Sequence, residues 1–316
     1  MQAETKHRAP WTVVRASDLR RFSFAGVLSS RNILFVLAVA LSVFVARNSL
    51  ATLFGYAWNR DEYTHILVII PVSLCLIFFE RQNLTARPEC SFVPGLVTLL
   101  IAATAALVAI LAPAANPDAR LALSICALVV CWFSFVLLFY GFEVFKTFRF
   151  ALLFLFLLVP LPLTSVAAIV ATLQTGSASA TSVLFHLAGV PVFHVGQNLA
   201  IPGLDIEVAR ECSGIRSSIG LLVSCLILAH IFLRSTWAKL IFIALVVPFS
   251  VAKNAVRIFT LSMLGVHVDP AFLSGRLHHD GGFVFFILIF AVLWGVLRLL
   301  AHIENRLSPP LQSSLP

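Results

Sequence analysis

Three short stretches late in the chain concentrate the side chains able to do chemistry: ECSGIRSS at 211–218, KNAVR at 253–257 and GRLHHDGG at 275–282. They supply a thiol (Cys212), a guanidinium (Arg257) and an imidazole (His278, with His279 adjacent). A thiolate attacks carbonyl carbon, an imidazole exchanges protons near neutral pH, and a guanidinium stabilises negative charge. That set suits acyl transfer through a cysteine nucleophile. Cys212 opens an apolar helical stretch, where unpaired N–H groups and the helix dipole favour a thiolate. Arg216 lies at i+4 from it, on the same face one turn along, and Gly214 leaves space for a close backbone approach. Glu211 opposes a thiolate unless it pairs with Arg210 or Arg216. Asn254, three residues before Arg257, makes an inward-facing pair with it one reading of this helix.

Each of these residues also has an ordinary reading. A membrane cysteine commonly just packs, an arginine or lysine at a helix end anchors by snorkelling, and a loop histidine is often inert. Lys253 fits the anchor description. Depth distinguishes the others. Cys212 lies 23 residues before Ser235, the centre of a turn between two apolar stretches, and Arg257 lies 22 residues after it. Antiparallel helices of equal rise bring both residues to one level, near the outer membrane face. His278 stands five residues before Phe283, where the last apolar stretch begins, and so reaches the same surface.

The elements that hold these residues are membrane spans. Of 316 residues 60% are hydrophobic and 11% charged, and mean hydropathy is +0.99. Soluble domains are roughly 45–50% apolar, whereas a bilayer span takes roughly 20 predominantly apolar residues. A soluble enzyme, a disordered chain and a single-anchor protein are excluded. So is an outer-membrane barrel, whose strands alternate apolar and polar; runs such as 99–111 and 283–300 are apolar on every face. The expectation is an all-α polytopic membrane protein with about eight spans, at 32–54, 63–80, 93–113, 119–141, 145–163, 212–233, 237–262 and 283–302. The first of these interrupts itself at Arg47-Asn48.

The net charge of +8 comes from basic residues dispersed between spans, which favours an orienting role over nucleic-acid binding. An N-terminus and C-terminus both inside place 14 of the 22 basic residues on the cytoplasmic side. Residues 1–31 read as a basic cytoplasmic tail rather than a cleavable signal, 32–305 as one transmembrane domain and 306–316 as a disordered tail. Residues 164–188, rich in Ser and Thr, read as a helix lying at or dipping into the outer surface. Residues 190–211 alternate apolar and polar around Gly196-Gln197-Asn198 and Pro202-Gly203, which predicts a short extracytoplasmic hairpin. No CxxC pair or Cys/His metal spacing occurs, so neither metal nor cofactor is implied.

With these residues in view, the sequence resembles the exosortase/archaeosortase family of polytopic membrane cysteine proteases or transpeptidases. The likeness runs over roughly 55–290, from WNRDEYTHILVIIPVSL (58–74) through FLFLLVPLPL (154–163) and VARECSGIRSS (208–218) to NAVR (254–257) and the H-x-x-x-G pattern from His278 to Gly282. It implies Cys212 as nucleophile, Arg257 as stabiliser of developing negative charge and His278 as general acid/base. His278 rather than His279 gives the three-residue spacing to Gly282. His65 matches the early histidine of the family, although Ile66 stands where relatives commonly carry Gly; no chemical role attaches to it.

The resemblance also implies partners: membrane-anchored proteins with a C-terminal sorting signal made of a Pro-Glu-Pro-like motif, a transmembrane helix and a basic cluster. It implies cleavage at the outer face of the cytoplasmic membrane and a link to exopolysaccharide and surface attachment. The competing readings are a transporter and a non-catalytic scaffold of a polysaccharide-export system. A transporter would carry charges near the bilayer midplane and paired discontinuous helices, and here the polar residues gather toward one face.

Overall fold

The computed structural model describes residues 29–84, 89–111, 116–208, 214–273 and 282–307. Cys212, His278 and His279 lie outside the described residues, as do 1–28 of the basic tail and the end of the chain from 308. Contacts divide the chain into two compact units, Met1–Leu53 with Ile70–Val159 and Phe54–Ile69 with Pro160–Pro316.

The first unit contains α1 (Ser30–Val45), the start of α2 (Arg47–Asn59), most of α3 (Ile66–Glu80), α4 (Phe92–Leu111), α5 (Pro117–Tyr140) and the short α6 (Phe142–Thr147) and α7 (Arg149–Phe154). Helices α4 and α5 form a tight antiparallel pair. At Gly95 any Cβ would lie 2.7 Å from the Leu138 side chain, and the Ser134 hydroxyl donates to the Gly95 carbonyl at 2.8 Å. Trp132 Nε1 donates to Ser42 Oγ at 3.0 Å, and Tyr140 donates to Asn32 at 2.8 Å, which fastens α1 to α5. As the sequence suggests, the first span breaks at its charged residues: α1 and α2 bend by 72° around Ala46.

The second unit holds the end of α2, a 3-10 turn (Asp61–Tyr63), the start of α3, α8 (Leu163–Leu187), a three-stranded sheet, α9 (Ile215–Phe232), α10 (Thr236–Ala244), α11 (Val246–His267) and α12 (Gly282–Leu307). Its main core joins α9, α10 and α12 through Leu221, Cys225, Phe242, Leu293 and Leu297. Helices α10 and α11 form one 32-residue candidate span that breaks at Leu245. Pro248 causes the break: its ring excludes the carbonyl four residues back, that of Ala244, with which α10 ends.

The expected hairpin at 190–211 is present and carries one strand more. Strands β1 (Phe193–Val195), β2 (Asn198–Ile201) and β3 (Leu204–Glu207) form an antiparallel meander in that order. Both turn signals act, with Gly196 at φ 63° and Gly203 at φ 85°, a region that glycine enters without strain.

The stretch 145–163, expected to span, is built from three short pieces, α6, α7 and a 3-10 turn (Leu155–Leu158). It follows the Asp61–Glu80 candidate span in the antiparallel sense: Ser73 Oγ donates to the Ala151 carbonyl at 2.6 Å, and the Tyr63 hydroxyl donates to the Leu161 carbonyl at 2.8 Å. Pro160 and Pro162 end it, because a proline drives the residue before it into extended backbone; Val159 is extended, with ψ 113°. The Ser/Thr-rich segment expected as a helix at the membrane surface is α8, a single helix of 25 residues that also has the length and composition of a candidate span. Its polar side chains turn inward: Gln174, Ser177, Thr181 and Ser182 are buried. Thr172 and Thr181 donate to carbonyls one turn back at 2.8 and 2.7 Å, so their hydroxyls are satisfied within the helix. Among the described residues seven helices are long and apolar enough to cross, or up to eight if the bent pair counts as one. The protein is an all-α polytopic membrane protein.

A carboxylate locks the turn into α10. Glu304 of α12 is only 6% exposed, and its two oxygens accept the Arg234 N–H at 3.0 and 3.1 Å and also the Ser235 N–H. A carboxylate at a helix N-terminus satisfies donors that have no partner within the helix. Replacing Glu304→Ala buries these N–H groups without an acceptor and should cost about 1–3 kcal/mol. The expected readout is a lower Tm of the detergent-solubilised protein, with Glu304→Gln recovering part of the loss.

Candidate active site

Helices α8, α9 and α11 meet the sheet in the second unit, and their polar residues form a connected seam. Asn254, 1% exposed on α11, donates through Nδ2 to Ser177 Oγ of α8 at 3.1 Å. Gln174, one turn earlier on α8, donates to the Val208 carbonyl at 2.7 Å and so ties the end of β3 to that helix. Lys253 donates to Ser217 Oγ on the first turn of α9, and the Ser217 hydroxyl donates to the Gly214 carbonyl at 2.9 Å. Ala178, Leu199, Val208 and Ile258 pack beneath this seam as a small apolar core.

Beside the seam lies a cavity of about 200 Å³, with β3 on one wall and α11 on the other. Asp205, Glu207, Asn254, Arg257 and Ser262 contribute its polar lining, and Leu273 borders it. Arg257 is half-buried there. Asn254 and Arg257, three residues apart, face the same cavity, in accord with the inward-facing pair read from the sequence.

Gly214, which follows 209–213, stands directly against α11. A Cβ at Gly214 would lie 3.4 Å from both Asn254 Oδ1 and Lys253 Nζ, and its φ of 67° belongs to glycine. The depth arithmetic from the sequence brings the start of α9 level with Arg257. The observed neighbours are Lys253 and Asn254, one helical turn away from it.

Arg216, expected one turn along from Cys212, makes an exposed ion pair with Asp61 at 3.2 Å, linking α9 to the 3-10 turn before α3. His65 sits half-buried just after that turn, and Tyr63 in the turn donates to the Leu161 carbonyl at 2.8 Å. The histidine thus belongs to the segment that braces the start of α9.

Lys253 is the residue that sequence reasoning misjudged. A snorkelling anchor reaches water, yet this ammonium is 5% exposed and is bonded to Ser217. The available signal was its spacing: Lys253 and Arg257 are at i and i+4, so both cations fall on one side of a helix whose neighbours are apolar. An ionisable residue held inside a span is expensive and marks function more often than packing.

No curated protein and no solved structure shows significant similarity to the chain. The family description of the transmembrane exosortases matches residues 57–295, well over half of the sequence. This match starts ahead of the Asp61–Tyr63 turn, takes in the sheet, the seam and the cavity, and ends inside α12. On that match the chain belongs to the transmembrane exosortase family, which gives it a membrane peptidase or transpeptidase role in general.

Proposed function

We propose that this protein is a membrane-embedded cysteine protease/transpeptidase that removes C-terminal sorting signals of the Pro-Glu-Pro type from exported proteins, at the outer face of the cytoplasmic membrane. Cys212 is its nucleophile, His278 (or the adjacent His279) its general acid/base and Arg257 its charge stabiliser. The activity serves surface attachment and exopolysaccharide production.

The observation that carries this reading is the arrangement of the two chain ends that flank 209–213. Val208 lines the same cavity as Asn254 and Arg257, and Gly214 abuts Lys253 and Asn254. Cys212 is two residues from Gly214, which keeps its Cα within about 7.6 Å of that glycine's Cα. Connectivity therefore supports a thiol close to the Arg257 side of α11. The charge distribution supports the outward orientation. With 145–163 as a crossing and α8 at the outer side, Lys146, Arg149 and Arg234 stay on the cytoplasmic side and the sheet on the opposite one, in keeping with the Tyr63–Leu161 hydrogen bond.

In the reaction the Cys212 sulfur attacks the scissile carbonyl carbon while its proton passes to the histidine. Arg257 donates hydrogen bonds to the oxyanion of the tetrahedral intermediate, an effect strengthened where water is scarce. The C–N bond breaks, the leaving amine takes the proton from the histidine, and a thioester remains on Cys212. Water or an acceptor amine then attacks the thioester and returns the thiol.

A reporter protein ending in a Pro-Glu-Pro motif, an apolar helix and a basic tail, co-expressed with the full chain, tests this directly. Cys212→Ala should leave an inserted protein that no longer shortens the reporter, and continued shortening would overturn the assignment. Arg257→Lys should slow shortening by about 100-fold, since a point charge does not replace the planar fork at an oxyanion. The third expectation concerns pH. The Lys253 ammonium beside Gly214 favours a thiolate at 212, so its removal makes that thiol harder to deprotonate. In Lys253→Met the pH midpoint for alkylation of Cys212 should move upward, by roughly 0.5–1 unit.

A further inference from the structure

We infer that the substrate is held as a fourth strand on the open edge of β3, extended between that strand and α11. This inference rests on the peptidase reading and adds to it how the peptide is bound.

The register of the sheet fixes which backbone groups are available. The Val208 N–H donates to the Gln197 carbonyl at 3.0 Å, so these two residues form a hydrogen-bonded pair. Such pairs alternate along an antiparallel ladder. Leu199–Ile206 and Ile201–Leu204 are then the next bonded pairs, and Ala200–Asp205 and Asn198–Glu207 are the non-bonded ones. The N–H and C=O groups of Asp205 and Glu207 therefore turn away from β2. Among the described residues no strand lies beyond β3, and Asp205 and Glu207 make no hydrogen bond on that side. Two donors and two acceptors, repeated every second residue, are a template for an added strand.

The outward backbone groups decide the form of the occupant. A helix closes its own backbone hydrogen bonds, so only an extended chain can pair with the outward groups of Asp205 and Glu207 beside this cavity of about 200 Å³. The second wall supplies the reason for binding there. In a strand successive residues direct their carbonyls to opposite edges. A peptide whose alternate residues bond Asp205 and Glu207 turns its remaining carbonyls toward α11, where Arg257 and Asn254 line the cavity. Strand pairing thus aims every second carbonyl at the guanidinium proposed to stabilise the oxyanion. Among the described strands, β3 alone borders this cavity.

The edge position is anchored well enough to act as a template. Val208 is 1% exposed, and Gln174 Nε2 holds its carbonyl at 2.7 Å. Ile206 packs on the core that joins the sheet to α8 and α11. The chain then continues for four residues from Val208 to Cys212, which bounds their separation to about 14 Å.

Two measurements on the full chain in membranes test the inference with the tripartite reporter described above. In the first, Glu207→Cys is combined with Cys212→Ala, and single cysteines are moved along the reporter around its motif. Disulfide cross-links are expected at every second reporter position over at least four residues. A repeat of three to four, or no cross-linking at all, overturns strand addition. In the second, proline is placed on each sheet edge in the otherwise unchanged protein. Asp205→Pro removes an outward N–H without touching the β2 ladder and should slow reporter shortening at least tenfold. His194→Pro removes the equivalent outward group on β1 and should change it less than twofold. Equal rates for both variants overturn the inference. Should Asp205→Pro fail to accumulate in the membrane, the cross-linking repeat decides alone. If Cys212→Ala still shortens the reporter, the peptidase reading fails, and the cross-link repeat still reports whether β3 takes a strand.

Discussion

A polar group inside a membrane bundle has no water to turn to and must find its partner in the protein. That constraint organises the second unit. Helices α8, α9 and α11 each carry polar side chains that the bilayer would reject, and they satisfy them across one another: Ser177 with Asn254, Lys253 with Ser217, Gln174 with the end of β3. The rest of the unit follows from closing this seam. Small hydroxyl side chains on α8 let it lie against α11, and the apolar faces of α9, α10 and α12 then pack on the opposite side. The connection between the two layers is the α10–α11 break, which Pro248 imposes and which lets one long span serve both.

The same seam gives the site its character. Two cations one helical turn apart would repel and would be costly to bury in an apolar bundle. Here one of them is engaged by Ser217 at the base of α9, and the other opens onto a cavity with carboxylates on its far wall. A site of this kind holds positive charge ready on one side of a small, partly enclosed space. In the proposed acyl transfer, negative charge developing there would meet donors already in position, the condition under which electrostatic stabilisation is most effective. The exosortase match covers the whole of this arrangement.

The sheet is the other half of the design. A three-stranded meander has little stability alone, and this one is sustained by the apolar contact of Leu199, Ile206 and Val208 with α8 and α11. It stands beside the proposed chemistry rather than away from it because β3 runs directly into the segment that carries Cys212. A helix in that place would have closed its own hydrogen bonds. A strand leaves half of its backbone groups available on one edge, so local secondary structure here bears on recognition.

Composition and periodicity by themselves determined the class of protein, since 60% apolar residues in runs of span length admit no other solvent. The break near Arg47, the two glycine turns of the sheet and the level at which α9 meets α11 were likewise legible, because each depends on local chemistry or on simple helical rise. The tertiary structure decided how 145–163 is pieced together and which way the polar side chains of α8 turn. Hydropathy scores a serine or threonine the same whether it faces lipid or a neighbouring helix, and only packing reveals that those of α8 are buried against α11. It also decided the fate of three charges that sequence could not tell apart: Arg216 goes to Asp61 at the surface, Lys253 to Ser217 inside, and Arg257 to the cavity. Spacing along one helix predicts which face a side chain occupies, whereas its partner comes from another helix far away in the chain.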